Sequence, residues 1–250
     1  MCGNWLWPEV AKMSNTLQPP RTPWGNFPDV LIHASESAVK QHPAYRAAKA
    51  GDGVAAMALI RDTMNTERNR ELVERFAGQT PTLVSAHAYE RNAVNAIPEV
   101  FADLLGLALN WPVDHGIYQA NVVFHTGADG FSRLARQARF AGTVSRGWDY
   151  VLVDDFIGMG GTLANMKGYI ESQGGRVLAA ICLTGKPHSA KLALSPERLS
   201  ELRGIHGTEL ENWWIEQFAH AFDALTESEA RYLARTEGAD TVRSRIAAAK

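Results

Sequence analysis

The chain has 250 residues, of which 46% are apolar and 21% charged, a balance that is typical of a soluble globular protein. Its 25 basic and 27 acidic residues nearly cancel, which argues against a broad nucleic-acid or membrane-surface footprint. The two cysteines, Cys2 and Cys182, form no CxxC pair, so a disulfide scaffold and a zinc ribbon are excluded and a reducing cytoplasm fits.

The first third of the chain divides into two parts. Residues 1–28 are interpreted as an irregular arm that contains prolines and tryptophans. Residues 29–80 are interpreted as a helical front portion, whose helices follow a short strand at 28–33. Its predicted helices cover 43–50, 53–64 and 66–76.

The pattern changes from residue 81 to residue 190, where strands and helices alternate. Predicted strands lie at 82–86, 116–119, 150–153 and 176–183, and predicted helices at 93–109, 131–140 and 162–172. This alternation predicts an α/β fold with a parallel twisted sheet of about five strands, flanked by helices. Residues 191–250 are predicted to be helical again, with a capping box at Thr226–Glu229. No apolar run approaches the ~20 residues of a membrane span, and no signal peptide is evident at the start.

The segment Tyr150–Thr162 carries the chemistry. Its apolar strand residues are followed by Asp154 and Asp155, and then by a glycine-rich turn that leads into a helix. Ligands of parallel sheets bind at the carboxyl ends of the strands, and the amides at a helix start favour an anion. Two acids beside an anion site indicate a ribose phosphate, with carboxylates for the sugar hydroxyls or a metal ion.

Two other phosphate motifs do not match this segment. A dinucleotide-binding fingerprint requires a third glycine, which does not follow Gly158-Met-Gly160 at the right spacing. A phosphate-binding Walker loop requires a lysine before Thr162, and the segment has none there. A purely structural role of the turn is disfavoured, because burying acids at the end of an apolar strand costs free energy that a functional role would explain.

The segment Val151–Thr162 resembles the phosphoribosyl diphosphate (PRPP) signature of type I phosphoribosyltransferases: apolar residues, two acids, a spacer and a variant of T-G-G-T. The run Phe131–Arg139 is similar to the one that precedes this signature in competence-type (ComF-like) members. The order of elements from about 81 to 187 also fits that family. The resemblance implies a phosphoribosyltransferase-like core at 81–190, with helical N- and C-terminal additions.

The resemblance also implies roles for individual residues. Asp154 and Asp155 would hold the ribose hydroxyls and Mg²⁺, and would be the catalytic pair. Lys186 would contact the base. The PRPP-binding set would be Gly158, Met159, Gly160, Gly161 and Thr162 for the 5′-phosphate, with Arg91 and His125 for the diphosphate.

Two positions depart from the family pattern. Met159 stands where the first threonine of T-G-G-T is usual, so a phosphate hydroxyl is lost. Gly158 stands where 6-oxopurine members carry an aspartate that handles the base proton. The second departure argues against guanine and hypoxanthine as acceptors.

Other basic and aromatic residues remain open between two interpretations. Arg133, Arg136 and Arg139 recur every three residues and would form either a positive wall of the site or a solvated helix face. The aromatic residues around Trp213-Trp214 would stack on a base or, more commonly, form a core or a dimer contact.

The sequence therefore predicts a cytoplasmic, homodimeric enzyme that uses PRPP and Mg²⁺. It would transfer 5-phosphoribose to a nitrogenous base, other than a 6-oxopurine, and release pyrophosphate. A PRPP- or nucleotide-binding regulator without turnover, and a transferase with a non-base acceptor, stay as alternatives. No membrane or nucleic-acid partner is predicted.

Overall fold

The computed structural model of the protein describes residues 21–88, 95–121 and 129–250. The strands within these ranges are β1 (Leu31–Ala34), β2 (Thr82–Ser85), β3 (Val113–Asp114), β4 (Ile117–Gln119), β5 (Phe140–Gly142), β6 (Asp149–Ile157) and β7 (Arg176–Gly185). The helices of the described residues are α1 (Glu36–Lys40), α2 (Tyr45–Lys49), α3 (Gly53–Thr63), α4 (Thr66–Arg75), α5 (Ile97–Leu109), α6 (Gly130–Ala135), α7 (Gly161–Ser172), α8 (Pro196–Phe218), α9 (Glu227–Ala234) and α10 (Ala239–Ala249).

Five strands form one parallel sheet in the order β1-β7-β6-β2-β3. The strand β6 lies at the centre, between β7 and β2, and each neighbour runs in the same direction. Parallel neighbours require crossover connections, which the helices between the strands supply. The predicted fold class, a parallel sheet of about five strands with flanking helices, is confirmed.

Both faces of the sheet are covered, as the continuous apolar pattern of the central strand requires. Tyr150 and Leu152 face a core cluster that contains residues of α7. Val151 and Val153 face the opposite cluster, which contains residues of α3 and α5. All four β6 side chains are fully buried. The alternation places β6 in the middle of a three-layer structure.

The edges of the sheet differ from the sequence interpretation. The edge strand β1 belongs to the front portion and pairs with β7, which lies about 150 residues further along the chain, as in Ala34↔Thr184. The other edge strand is the short β3, whereas the predicted strand at 116–119 forms an antiparallel ribbon, β4–β5. The strand predicted at 116–119 is therefore present as β4, but the prediction that it belongs to the parallel sheet is wrong.

The C-terminal portion packs around a third apolar cluster, formed by α6, α8, α9 and α10. Trp214, Phe218 and Phe222 are fully buried there beside Leu225, so these three aromatics are core residues and offer no stacking surface for a base. The predicted capping box at the start of α9 is present. In the described part of the chain, no helix is both long enough and apolar enough to cross a membrane.

Candidate active site

The acid pair lies at the carboxyl edge of the sheet. Pairing of β6 with β2 ends at Ser85↔Val153, whereas pairing with β7 continues to Ile157↔Gly185. Asp154 and Asp155 therefore lie inside β6 but beyond the end of β2, where the edge opens. The sequence had placed the end of the strand at Val153, which is four residues too early.

The two carboxyl groups lie close together and are largely removed from solvent. Asp154 is 9% exposed, and the backbone N–H of Asp155 donates to its Oδ1 at 2.8 Å. Burial raises the pKa of the Asp154 carboxyl well above its usual range, and the neighbouring charge of Asp155 adds to this effect. A pair of adjacent, poorly exposed acids with a raised pKa at a sheet edge is typical of a functional site.

Lys49, the last residue of α2, completes the acid pair and was missed by the sequence analysis. Its Nζ donates to Oδ2 of Asp155 at 2.9 Å. Burial is the largest single influence and lowers the pKa of this lysine, but the Asp155 carboxylate, together with Tyr45 and Asp154, outweighs burial and leaves the pKa raised. No sequence signal links the two residues, since they come from elements far apart in the chain.

The glycine turn Gly158–Thr162 follows directly and leads into α7. Gly160 has a φ of +84°, in the left-handed region that glycine adopts most readily. No side chain caps the start of α7, and its first turn carries no acidic residue. The free amides and the helix dipole are therefore suited to an anion such as a phosphate group.

The C-terminal portion supports the glycine turn from outside. The Thr226 hydroxyl donates to the carbonyl oxygen of Met159 at 2.6 Å. A Cβ atom added to Gly161 would lie 2.8 Å from Oε1 of Glu229, so glycine is required there by protein packing.

Met159 has a structural explanation. Its side chain is partly buried against the apolar cluster of the C-terminal portion. A threonine at this position would offer a hydroxyl to a phosphate but less apolar surface to that cluster. The substitution therefore exchanges a ligand contact for packing between the turn and the C-terminal helices.

A basic side chain occupies the space beside Gly158. A Cβ atom added to Gly158 would lie 2.9 Å from Nη1 of Arg133, on α6. The prediction of three arginines on one helical face is wrong, because α6 ends at Ala135 and the following arginines lie outside it. The Nε of Arg136 donates to the carbonyl oxygen of Ala249 instead.

Lys186 lies just beyond β7 at the same edge of the sheet. It is exposed, and its backbone N–H is 3.4 Å from the carbonyl oxygen of Ile157. The structure thus brings together Asp154, Asp155, the glycine turn and Lys186. The other two candidates, Arg91 and His125, lie outside the described residues.

The acid pair does not fit a resident Mg²⁺ ion. One carboxylate is already paired with Lys49, and burial favours the neutral form of the other. In the described ranges, no group of three or more histidine, cysteine, aspartate or glutamate residues is arranged to hold a metal ion. Mg²⁺ prefers six oxygen ligands and takes many of them from substrate phosphates. The protein residues alone supply too few.

No family model matches the chain. It is 36% identical to Protein TraN of Escherichia coli over 238 residues, which cover 95% of this chain and 53% of the relative. It is 35% identical over 151 residues to an uncharacterized protein of Haemophilus influenzae, covering 60% of this chain and 34% of that protein. The chain thus spans about half the length of the first relative and a third of the second.

Among solved structures, the chain is similar to adenine phosphoribosyltransferase from Leishmania donovani, with 14% identity and a TM-score of 0.36. The match covers 77% of this chain and 71% of that chain. A purine phosphoribosyltransferase from Pyrococcus horikoshii gives 21% identity and a TM-score of 0.31. Likenesses this remote carry no argument about the site or its chemistry.

Proposed function

We propose that the chain is a phosphoribosyltransferase that takes 5-phosphoribose from PRPP, passes it to a nitrogenous base and releases pyrophosphate. The proposal depends on one observation: the acid pair of β6 is followed directly by the uncapped start of α7, at the same edge of the sheet. In PRPP the ribose diol lies close to the 5′-phosphate. In the same way, the acid pair proposed to bind the diol lies close to the glycine turn proposed to bind the phosphate.

The roles follow from the chemistry of each group. Asp154 and Asp155 accept hydrogen bonds from the ribose hydroxyls, and the amides of Gly158–Thr162 bind the 5′-phosphate. Lys186 contacts the acceptor base. Arg91 and His125 are proposed to meet the diphosphate.

Cleavage at the anomeric carbon passes through an oxocarbenium-like state, so positioning and electrostatic stabilisation supply the catalysis. We propose that Mg²⁺ enters together with the donor diphosphate, whose negative charge it neutralises.

A donor-binding regulator without turnover is the second candidate. The observation that favours it is Met159, whose side chain packs on the C-terminal cluster where the family has a phosphate-binding hydroxyl. The regulator would bind PRPP but release no pyrophosphate with any acceptor.

The choice of base is the prediction that tests the proposed function. Gly158 has no side chain to take a proton from a 6-oxopurine, and the Arg133 guanidinium beside it would oppose a positive charge on the base. We expect guanine and hypoxanthine to be poor acceptors compared with adenine, uracil or orotate. The measurement is pyrophosphate release with PRPP and Mg²⁺ across these five bases, expressed as kcat/KM.

The outcomes of this assay separate the candidates. A best substrate other than guanine or hypoxanthine supports the proposal. Guanine or hypoxanthine as the best acceptor by about tenfold would contradict the argument from Gly158. Saturable PRPP binding without release for any base would favour the regulator.

A further inference from the structure

The ion pair between Lys49 and Asp155 joins the front portion of the chain to the acid pair. The side chain of Lys49 is 37% exposed and that of Asp155 12% exposed, with 2.9 Å between Nζ and Oδ2. The position of the lysine is fixed by its neighbours: Ala48 is fully buried, and its carbonyl oxygen accepts the N–H of Ala96 at 3.1 Å. The contact is therefore built into the packing of α2.

A cation beside the acid pair reduces electrostatic repulsion between the two acids. Asp154 and Asp155 are adjacent, and both are poorly exposed, so two negative charges there would repel each other in a medium that screens weakly. Fully exposed ion pairs contribute little to stability, but this carboxylate is mostly removed from water. An ammonium group on Asp155 offsets the repulsion before any ligand arrives.

A divalent metal ion would compete with this ammonium group. A metal ion ligated by Oδ2 of Asp155 would displace the ammonium group, because Nζ of Lys49 lies at hydrogen-bond distance from that oxygen. The described residues offer no further cluster of ligands that would compensate a metal ion for the missing oxygen.

We propose that Lys49 is the resident cation of the acid pair: it orients Asp155 towards the ribose hydroxyls and keeps divalent metal ions off the two carboxylates. Lys49 is thus a positioning residue that acts through Asp155. The part that concerns ribose rests on the proposed function, whereas the part that concerns metal ions does not.

The metal part is tested by titrating the full chain with Mn²⁺ alone and counting bound ions by electron paramagnetic resonance. The wild type is expected to show no saturable site at the acid pair. Lys49→Met is expected to gain one saturable Mn²⁺ site, at least about tenfold tighter than any weak binding of Mn²⁺ to the wild type, and Lys49→Met combined with Asp155→Asn to lose that site. Lys49→Arg is expected to behave as the wild type.

A matched control removes a cation that pairs with an aspartate at the opposite end of β6. Arg176 pairs with Asp149 at the amino end of β6, with Nε 2.7 Å from Oδ1. Arg176→Met is expected to gain no Mn²⁺ site. Equal Mn²⁺ affinity of the wild type and Lys49→Met would overturn the metal part of the proposal.

The ribose part is tested with ribose 5-phosphate in the presence of a chelator, since this sugar has no diphosphate to carry a metal ion. Lys49→Met is expected to weaken its affinity by about tenfold, and Lys49→Arg to retain most of it. An unchanged affinity in Lys49→Met would overturn the positioning role. If the wild type does not bind the sugar, the proposed function and the ribose part fail together, and the Mn²⁺ titration still decides the metal part.

Discussion

Replacing Asp154 and Asp155 together by asparagine is expected to weaken PRPP binding by about 100-fold or more. Hydrogen bonds to charged groups contribute roughly 1.5–3 kcal/mol each, and asparagine removes the carboxyl acceptor at both positions together with the charge of Asp155. Asparagine keeps the shape of aspartate, and the change relieves the crowding of two buried acids, so the fold is expected to persist. The measurement is calorimetric titration with PRPP, together with a denaturation curve for each protein.

Asp149→Asn is the matched control for this double variant. Asp149 belongs to the same strand but lies at its amino end, in an ion pair with the exposed Arg176. We expect its PRPP affinity to equal that of the wild type. A double variant that binds PRPP as tightly as the wild type would exclude the acid pair as a ribose clamp.

Glu229→Gln is expected to lower the free energy of unfolding by about 3–5 kcal/mol, because it leaves a buried charge without its partner. The side chains of Arg21 and Glu229 are 1% and 2% exposed, and Nη1 lies 2.6 Å from Oε2. The Nε of Arg21 also donates to Oδ1 of Asn165, on α7, at 2.6 Å. The pair therefore ties the N-terminal segment to both α7 and α9, and urea denaturation measures its effect.

Asp240→Asn provides the comparison for the buried pair. Asp240 is 94% exposed and pairs with Arg243 on the same helix, so its loss is expected to change stability by less than about 0.5 kcal/mol. A loss below about 1 kcal/mol in Glu229→Gln would show that water or rearrangement compensates the arginine charge.

The central strand and its helix were predictable because local sequence determines them. An apolar run, two acids, glycines and a helical pattern follow one another within Tyr150–Ser172, and the structure has β6 and α7 there. The capping box at Thr226 was predictable for the same reason, since its two hydrogen bonds join residues three apart.

The edges of the sheet were not predictable in the same way. The strand β3 has only two residues, too few for an alternating pattern, while the stronger pattern at 116–119 belongs to the separate β4–β5 ribbon. The pairing of β1 with β7 depends on tertiary packing between distant parts of the chain. Local periodicity carries no information about such a partner.

The residues of the candidate site were likewise predictable only where they are close together in sequence. Asp154, Asp155 and the glycine turn are contiguous, so the sequence could place them together. Lys49 and Thr226 reach the site from the two additions, through contacts that span 106 and 67 residues. These additions therefore support the site, which their sequences alone did not indicate.

The most direct test of the central claim compares ribose 5-phosphate with 2-deoxyribose 5-phosphate, by calorimetric titration of the wild-type chain. A pair of carboxylates that accepts hydrogen bonds from a vicinal diol should distinguish the two sugars, because the deoxy sugar lacks one hydroxyl. The account predicts saturable binding of ribose 5-phosphate, at least about tenfold tighter than that of the deoxy sugar. Equal affinities, or no saturable binding of either sugar, would contradict it.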